Sequence, residues 1–170
     1  MKKIIFRIFL LFVLYLLLGC PDVIDAINLR LFASPEYIIT RFYTEQDLAE
    51  DQLMDSLILG GSKMVPLLER EILKKETPRR LYAISALSVL GKNDSIPIIE
   101  HILQDKSEKE DFRAAALRAV ARIDLPYAQK IAPQYLNDTK NVAKYAHEVL
   151  TAPTWLDNRS YWDALFHRHY

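Results

Sequence analysis

Residues 82–91 read YAISALSVLG, residues 112–121 read FRAAALRAVA, and residues 142–151 read VAKYAHEVLT. The three stretches are evenly spaced along the chain, and in this register three alanines coincide: Ala86, Ala116 and Ala146. Apolar residues in the first stretch recur at i, i+3, i+4 and i+7, which is the spacing of one helical face. Alanine on that face allows a neighbouring helix to approach closely. The pattern therefore predicts an all-α chain built from a repeated helical unit.

The segments between these helices repeat as well. Residues 64–73 read MVPLLEREIL, and residues 95–104, which follow at nearly the same spacing, read SIPIIEHILQ. Both follow a Leu-Gly pair, which ends at Gly60 and at Gly91, and glycine commonly lies just past a helix end. The predicted unit is therefore two helices joined by short turns. A lone pair of such helices would leave an apolar face in water, which the next pair covers by stacking on it.

The composition also favours helices. The chain has only four glycines in 170 residues, whereas a β-sheet protein of this size needs many tight turns, which glycine usually supplies. Capping residues such as Ser34, and prolines near helix starts, indicate the boundaries, and Pro133 is expected to kink or break the seventh helix. We predict helices at about 35–43, 45–59, 63–75, 78–91, 95–104, 108–122, 125–136, 139–151 and 160–168.

One predicted helix carries a longer motif, Arg-x-x-Ala-x-x-Ala-Leu-x-x-Leu-Gly, at Arg80, Ala83, Ala86, Leu87, Leu90 and Gly91. This motif resembles the short HEAT-like repeats named after phycobilisome lyases, and the resemblance covers about residues 45–151. It implies an α-solenoid of about three to four helical hairpins, in a repeat domain at 35–151. An ordinary helical bundle with alanine-rich helices is the alternative. The resemblance concerns the scaffold alone and implies no lyase activity.

The N-terminus reads MKKIIFRIFLLFVLYLLLGC. Its uninterrupted apolar run, residues 8–18, suits the core of a signal peptide, which needs about 7–15 residues, better than a transmembrane helix, which needs about 20. The segment ends in Leu17, Leu18, Gly19 and Cys20. This ending resembles the bacterial lipobox, although Leu18 is bulkier than the residue usual at its position. The resemblance implies cleavage of a signal peptide at 1–19 and diacylglycerol on the sulfur of Cys20.

Lipidation at Cys20 would make residues 20–34 a lipidated N-terminus and tether, and would attach the protein to a membrane of the bacterial cell envelope. Two acyl chains hold a protein firmly, whereas one binds only marginally. Pro21 and Asp22, which follow the cysteine, do not distinguish the inner from the outer membrane. An uncleaved signal anchor with an incidental cysteine is the alternative.

The charge balance argues against a nucleic-acid partner. Residues 1–19 contain three basic residues and no acid, so the remaining chain has 19 basic and 22 acidic residues, a net charge of −3. A nucleic-acid binder would show a basic patch. The sequence also predicts no catalytic residue, metal site, cofactor or small-molecule substrate. His147-Glu148 is the only His-Glu dipeptide, whereas the diiron hydroxylases built on HEAT repeats use several.

The C-terminal segment, residues 152–170, departs from the repeat. It is rich in aromatic residues, and those expected to bind a partner are Trp155, Tyr161, Trp162 and Phe166. The segment is interpreted either as a docking element or as an aromatic cap with a short helix that covers the last repeat. The expected function is a non-enzymatic protein–protein interaction scaffold, bound to membrane lipid through Cys20. The alternative is a structural envelope component or an accessory subunit of an envelope enzyme complex.

Overall fold

The structure is a computed structural model that describes residues 21–46 and 50–151, together with single positions at 7, 9, 10 and 13. This part of the chain is helical, and no β-strand occurs in it. The prediction of an all-α fold is therefore confirmed. The predicted helix at 160–168 lies outside the described residues.

The helices are numbered in chain order: α1 Pro21–Leu31, α2 Pro35–Thr44, α3 Glu50–Gly60, α4 Val65–Glu71, α5 Arg80–Leu90, α6 Ile96–Gln104, α7 Glu110–Ile123, α8 Leu125–Ile131 and α9 Lys140–Leu150. Short 3-10 segments adjoin three of them: Gly61–Met64 precedes α4, Asn93–Ser95 precedes α6, and Ala132–Tyr135 follows α8. The turns between helices are short, as the repeat predicted.

Local chemistry explains several of these boundaries. The Ser34 hydroxyl accepts a hydrogen bond from the Tyr37 amide at 3.1 Å, and so caps the start of α2. Asp124 does the same for α8, where its carboxylate accepts from the Tyr127 amide at 2.9 Å. Each bond satisfies a backbone donor that has no partner within the first helical turn. Pro133 interrupts the seventh predicted helix as expected, because α8 ends at Ile131 and the chain continues as 3-10 helix.

Part of the segment expected to be a tether is helical, because residues Pro21–Leu31 form α1. The side chains of Ala26 and Leu29 on one face of α1 are fully buried and belong to the hydrophobic core. An ion pair also fastens α1 to α2, since Arg41 Nη1 lies 2.8 Å from the Asp25 carboxylate. Sequence analysis predicted no helix here, since the first predicted helix begins at residue 35.

Four helices form a row in which each packs on the next: α3 on α5, α5 on α7, and α7 on α9. The shorter helices pack against this row, α4 on α5, α6 on α7, and α8 on both α7 and α9, while α1 and α2 cover α3. The alanines that coincide in the repeat, Ala86, Ala116 and Ala146, are all fully buried. Their small side chains face the neighbouring helices, as the sequence predicted.

Candidate functional site

The site residues predicted from the sequence lie outside the described part of the chain. This applies to the lipidation residue, Cys20, and to the aromatic residues expected to bind a partner: Trp155, Tyr161, Trp162 and Phe166. The signal peptide at 1–19 is described only at four single positions. The described residues nevertheless form a candidate binding surface that the sequence did not reveal.

A groove of about 350 Å³ crosses the outer surface of α5, α7 and α9. We call it the repeat groove, and its lining residues are Leu81, Tyr82, Ser85, Asp111, Ala114, Ala115, Arg118, Asn141 and Tyr145. Each of the three helices contributes to it, so the groove exists only because these helices pack side by side. Its lining combines aromatic, small and charged side chains.

Small side chains create the space inside the repeat groove, and aromatic rings line its sides. Ser85 on α5 and Ala115 on α7 are half-buried, and neither fills the space between the helices. Tyr82 and Tyr145 are half-buried tyrosines on α5 and α9. A tyrosine ring offers a large apolar face together with a polar hydroxyl, so this part of the groove can accept an apolar group and still hydrogen-bond at its edge.

Charged groups lie along the α7–α9 side of the repeat groove. The Arg118 guanidinium is stacked over the Tyr145 ring, 5.0 Å from its centroid, which is a favourable cation–π geometry. The Asn141 side-chain amide donates to an Asp111 carboxylate oxygen at 3.0 Å, and the Asn141 backbone amide donates to the Glu110 carboxylate. These contacts join α7 to α9 and hold the Tyr145 side of the groove in place.

A buried arginine, Arg80, joins helices below the repeat groove. Its Nε donates to the Ile72 carbonyl oxygen at 2.6 Å, and its Nη1 lies 2.6 Å from the Glu108 carboxylate. Its guanidinium is also 4.8 Å from the centre of the Phe112 ring. Arg80 therefore ties the end of α4 to the turn before α7.

Arg113 makes the equivalent set of contacts one unit later. Its Nε donates to the Leu103 carbonyl oxygen at 2.9 Å, while Nη1 and Nη2 donate to the two Asp138 carboxylate oxygens at 2.7 Å each. Two parallel bonds of this kind give both strength and a defined orientation. Arg113 thus ties the end of α6 to the turn before α9.

The two buried carboxylates remain ionised because of these arginines. The Arg113 hydrogen bonds hold the pKa of Asp138 well below its usual range, although burial opposes the shift. Burial is the largest single influence on Glu108 and acts to raise its pKa. The net shift is nevertheless downward, because hydrogen bonds from Arg80 and the Lys109 amide, together with the nearby positive charge, outweigh burial. Both ion pairs are therefore intact over the physiological pH range.

By its contacts, Arg113 is the counterpart of Arg80, whereas the alignment of the alanines places Glu110 at the position equivalent to Arg80. In the register of the arginines, the spacing Arg-x-x-Ala-x-x-Ala recurs at Arg113, Ala116 and Ala119. All three side chains are buried, as are their counterparts Arg80, Ala83 and Ala86. Sequence reasoning missed the role of Arg113, and this spacing is the signal that could have found it.

The shorter helices are joined by a second series of contacts, made by glutamates at equivalent positions of α4 and α6. Glu69 accepts a hydrogen bond from the Ser95 hydroxyl at 2.6 Å, and Glu100 accepts one from the Tyr127 hydroxyl at 3.0 Å. The hydrogen bond to Glu100 raises the pKa of Tyr127. The two glutamates coincide when the segments at 64–73 and 95–104 are aligned, so these contacts follow the repeat.

Two further observations concern chemistry and membranes. Within residues 21–46 and 50–151, no group of three or more His, Cys, Asp or Glu side chains is arranged to hold a metal ion, and His101 and His147 are exposed. Among the helices described, none has the length and apolar character needed to cross a bilayer.

No protein-family model, curated protein or solved structure matches the chain.

Proposed function

We propose that this protein is a lipoprotein of the bacterial cell envelope that binds another protein through its helical repeats and catalyses no reaction. The repeat groove is the observation that carries the proposal. Protein interfaces are enriched in tyrosine and arginine at the positions that contribute most binding energy. The groove brings Tyr82, Arg118 and Tyr145 together around small residues.

The scaffold is proposed to be an α-solenoid of short HEAT-like hairpins. The row α3, α5, α7 and α9 supports this, because each helix packs on the equivalent helix of the next unit. The equivalent contacts of Arg80 and Arg113 support it as well. Solenoids commonly use the extended surface formed by equivalent helices for binding, and the repeat groove lies on such a surface.

The groove chemistry suggests how the partner is bound. Ser85 and Ala115 leave room between Tyr82 and Tyr145 for an apolar side chain of the partner. Arg118 lies at the Tyr145 side, where a polar or acidic group of the partner would be accommodated. A protein segment that presents an apolar residue beside a polar one fits this surface.

Membrane attachment is proposed through diacylglycerol on Cys20. The sequence supports it, because the signal-like segment ends in Leu-Leu-Gly-Cys and Cys20 is the only cysteine. Metabolic labelling with a clickable palmitate tests this directly. The wild-type chain should be labelled and Cys20→Ala should not, and an unlabelled wild-type chain would remove the basis for the anchor.

Site-specific photo-crosslinking in cells tests the binding surface. A benzophenone amino acid replaces Ser85 in the groove, and in a control chain it replaces Gln104, an exposed residue at the end of α6. We expect a single reproducible adduct from position 85, identified by mass spectrometry, and none from position 104. Identical adducts from both positions, or none from position 85, would count against the groove.

A matched pair of charge reversals sharpens the result. Arg118→Glu lies in the groove, whereas Arg70→Glu changes an exposed arginine on α4. Loss of the position-85 adduct in the first variant only would support the proposal, provided that both variants melt at similar temperatures. An adduct with an envelope enzyme would favour the alternative of an accessory subunit.

A further inference from the structure

The first described helix, α1, has an apolar face that no other part of the described structure covers. Ile24, Ile27 and Leu31 recur at i, i+3 and i+7 and therefore lie on one side of the helix. All three are exposed, and so is Phe32, which follows Leu31 in the turn after the helix. We call these four residues the N-terminal apolar patch.

The exposure of the patch is large for apolar side chains on one short helix. Leu31 is 68% exposed and Phe32 is 77% exposed, while Ala26 and Leu29 on the other side of α1 are fully buried. The helix is therefore apolar on two sides, one of which packs on the domain. A contiguous exposed apolar surface of this kind marks an interaction site.

The position of the patch in the chain identifies what it contacts. We infer that the N-terminal apolar patch rests in the headgroup region of the lipid bilayer and so fixes the orientation of the domain on the membrane. This inference rests on the proposed lipid anchor at Cys20. Ile24 is only four residues after Cys20, so their Cα atoms are at most about 14 Å apart whatever path the chain takes.

That distance is short compared with the membrane. Headgroups and hydrocarbon together span about 40–45 Å, of which about 30 Å is hydrocarbon. A cysteine held at the bilayer surface by two acyl chains therefore keeps Ile24 within reach of the interface. The helix itself has 11 residues and is about 16 Å long, so it can lie along the surface but cannot cross it.

The groups around the patch suit a membrane interface. Tyr37 on α2 follows Phe32 by five residues in the chain and is exposed, and tyrosine is favoured at the boundary between hydrocarbon and water. Lys63 donates to the carbonyl oxygens of Arg30 and Ala33, at 3.1 and 2.5 Å. This places its ammonium group at the end of α1 beside the patch.

Spin labelling of the lipidated mature chain, which begins at Cys20, in phospholipid vesicles tests the inference. Lipidation consumes the only native thiol, so an introduced cysteine is the single labelling site. Ile27→Cys and Phe32→Cys report on the patch. Leu73→Cys is the matched control, because Leu73 is an apolar residue 45% exposed, against 44% for Ile27, and lies outside the patch.

The measurement is the ratio of label collisions with oxygen, which concentrates in lipid, to those with a water-soluble nickel complex. We expect this ratio to be several-fold higher at positions 27 and 32 than at position 73. Equal ratios at all three positions would overturn the inference, because the patch would then face water. Protection from both reagents would also overturn it, since protein, either a second copy or another segment, would then cover the patch.

The mass of the Cys20 peptide from the same sample reports the anchor separately. Diacylglycerol on Cys20 with water-exposed patch labels overturns this inference and leaves the proposed anchor intact. An unmodified Cys20 overturns the anchor, and with it the inference that depends on it.

Discussion

Replacing Arg113 with methionine should destabilise the fold more than replacing any surface arginine. The Arg113 side chain is 3% exposed and its partner Asp138 is 5% exposed, so the ion pair is almost dehydrated. Arg113→Met leaves the buried carboxylate without its two best donors and removes the donor to the Leu103 carbonyl oxygen. Methionine retains much of the side-chain volume, so the change tests charge and hydrogen bonding more than packing.

The expected loss follows from what remains after the substitution. Removing one partner of a buried ion pair typically costs about 3–5 kcal/mol. Asp138 would still accept hydrogen bonds from Lys106 and from the Thr139 amide, which favours the lower end, about 3 kcal/mol. This is a large share of the total stability of a single domain, about 5–15 kcal/mol.

Urea unfolding followed by far-UV circular dichroism measures the effect. With a slope of about 1–3 kcal/mol per molar urea, the midpoint should fall by about 1–3 M. Arg41→Met is the control, because the Arg41–Asp25 pair is 26% exposed on each side, and pairs in contact with water contribute only about 0–1 kcal/mol.

A double substitution separates the charge effect from lost packing. Arg113→Met combined with Asp138→Leu removes both charges, so it should be more stable than Arg113→Met alone. The reasoning is refuted if Arg113→Met costs no more than Arg41→Met, or if the double variant is no more stable than Arg113→Met alone.

Three further predictions concern pH, backbone conformation and packing. The folded-state pKa of Asp138 lies below the value of about 3.9 usual for an unfolded chain. The ionised carboxylate therefore makes its full contribution to the free energy of unfolding above about pH 4, and this contribution is lost as pH falls through the folded pKa. Asp138→Asn should make the free energy of unfolding less dependent on pH in this range, and an unchanged pH dependence would contradict the prediction. Gly61 has φ +72°, a backbone conformation that L side chains rarely adopt, so Gly61→Ala should cost about 1–2 kcal/mol and lower the melting temperature in calorimetry, whereas an unchanged temperature would refute it. Ala116→Leu should cost about 1–3 kcal/mol by overpacking, while Ala143→Leu at a half-buried position should cost about 0.5 kcal/mol or less; equal urea midpoints would show that the contact at Ala116 is not tight.

The repeat groove could not have been predicted from apolar periodicity. Ser85, Ala115 and Tyr145 coincide in the repeat alignment and lie beside the buried stripe of their helices, where that periodicity gives no signal. Tyr82 both packs against the core and lines the groove, and its position in the alignment does not indicate the second role. The sites that the sequence did suggest, Cys20 and the C-terminal aromatic residues, lie outside the described part of the chain and remain predictions.

The sequence by itself determined the all-α class, the position of most helices, and the burial of Ala86, Ala116 and Ala146. These properties depend on residues within one or two helical turns, so local periodicity and capping are sufficient to predict them. Only the tertiary structure decided that Arg113 binds Asp138 as Arg80 binds Glu108, that α1 is a helix docked on the domain, and that the other face of α1 is exposed. These properties depend on contacts between residues far apart in the chain, such as Arg113 with Asp138, and no local pattern specifies which distant groups meet.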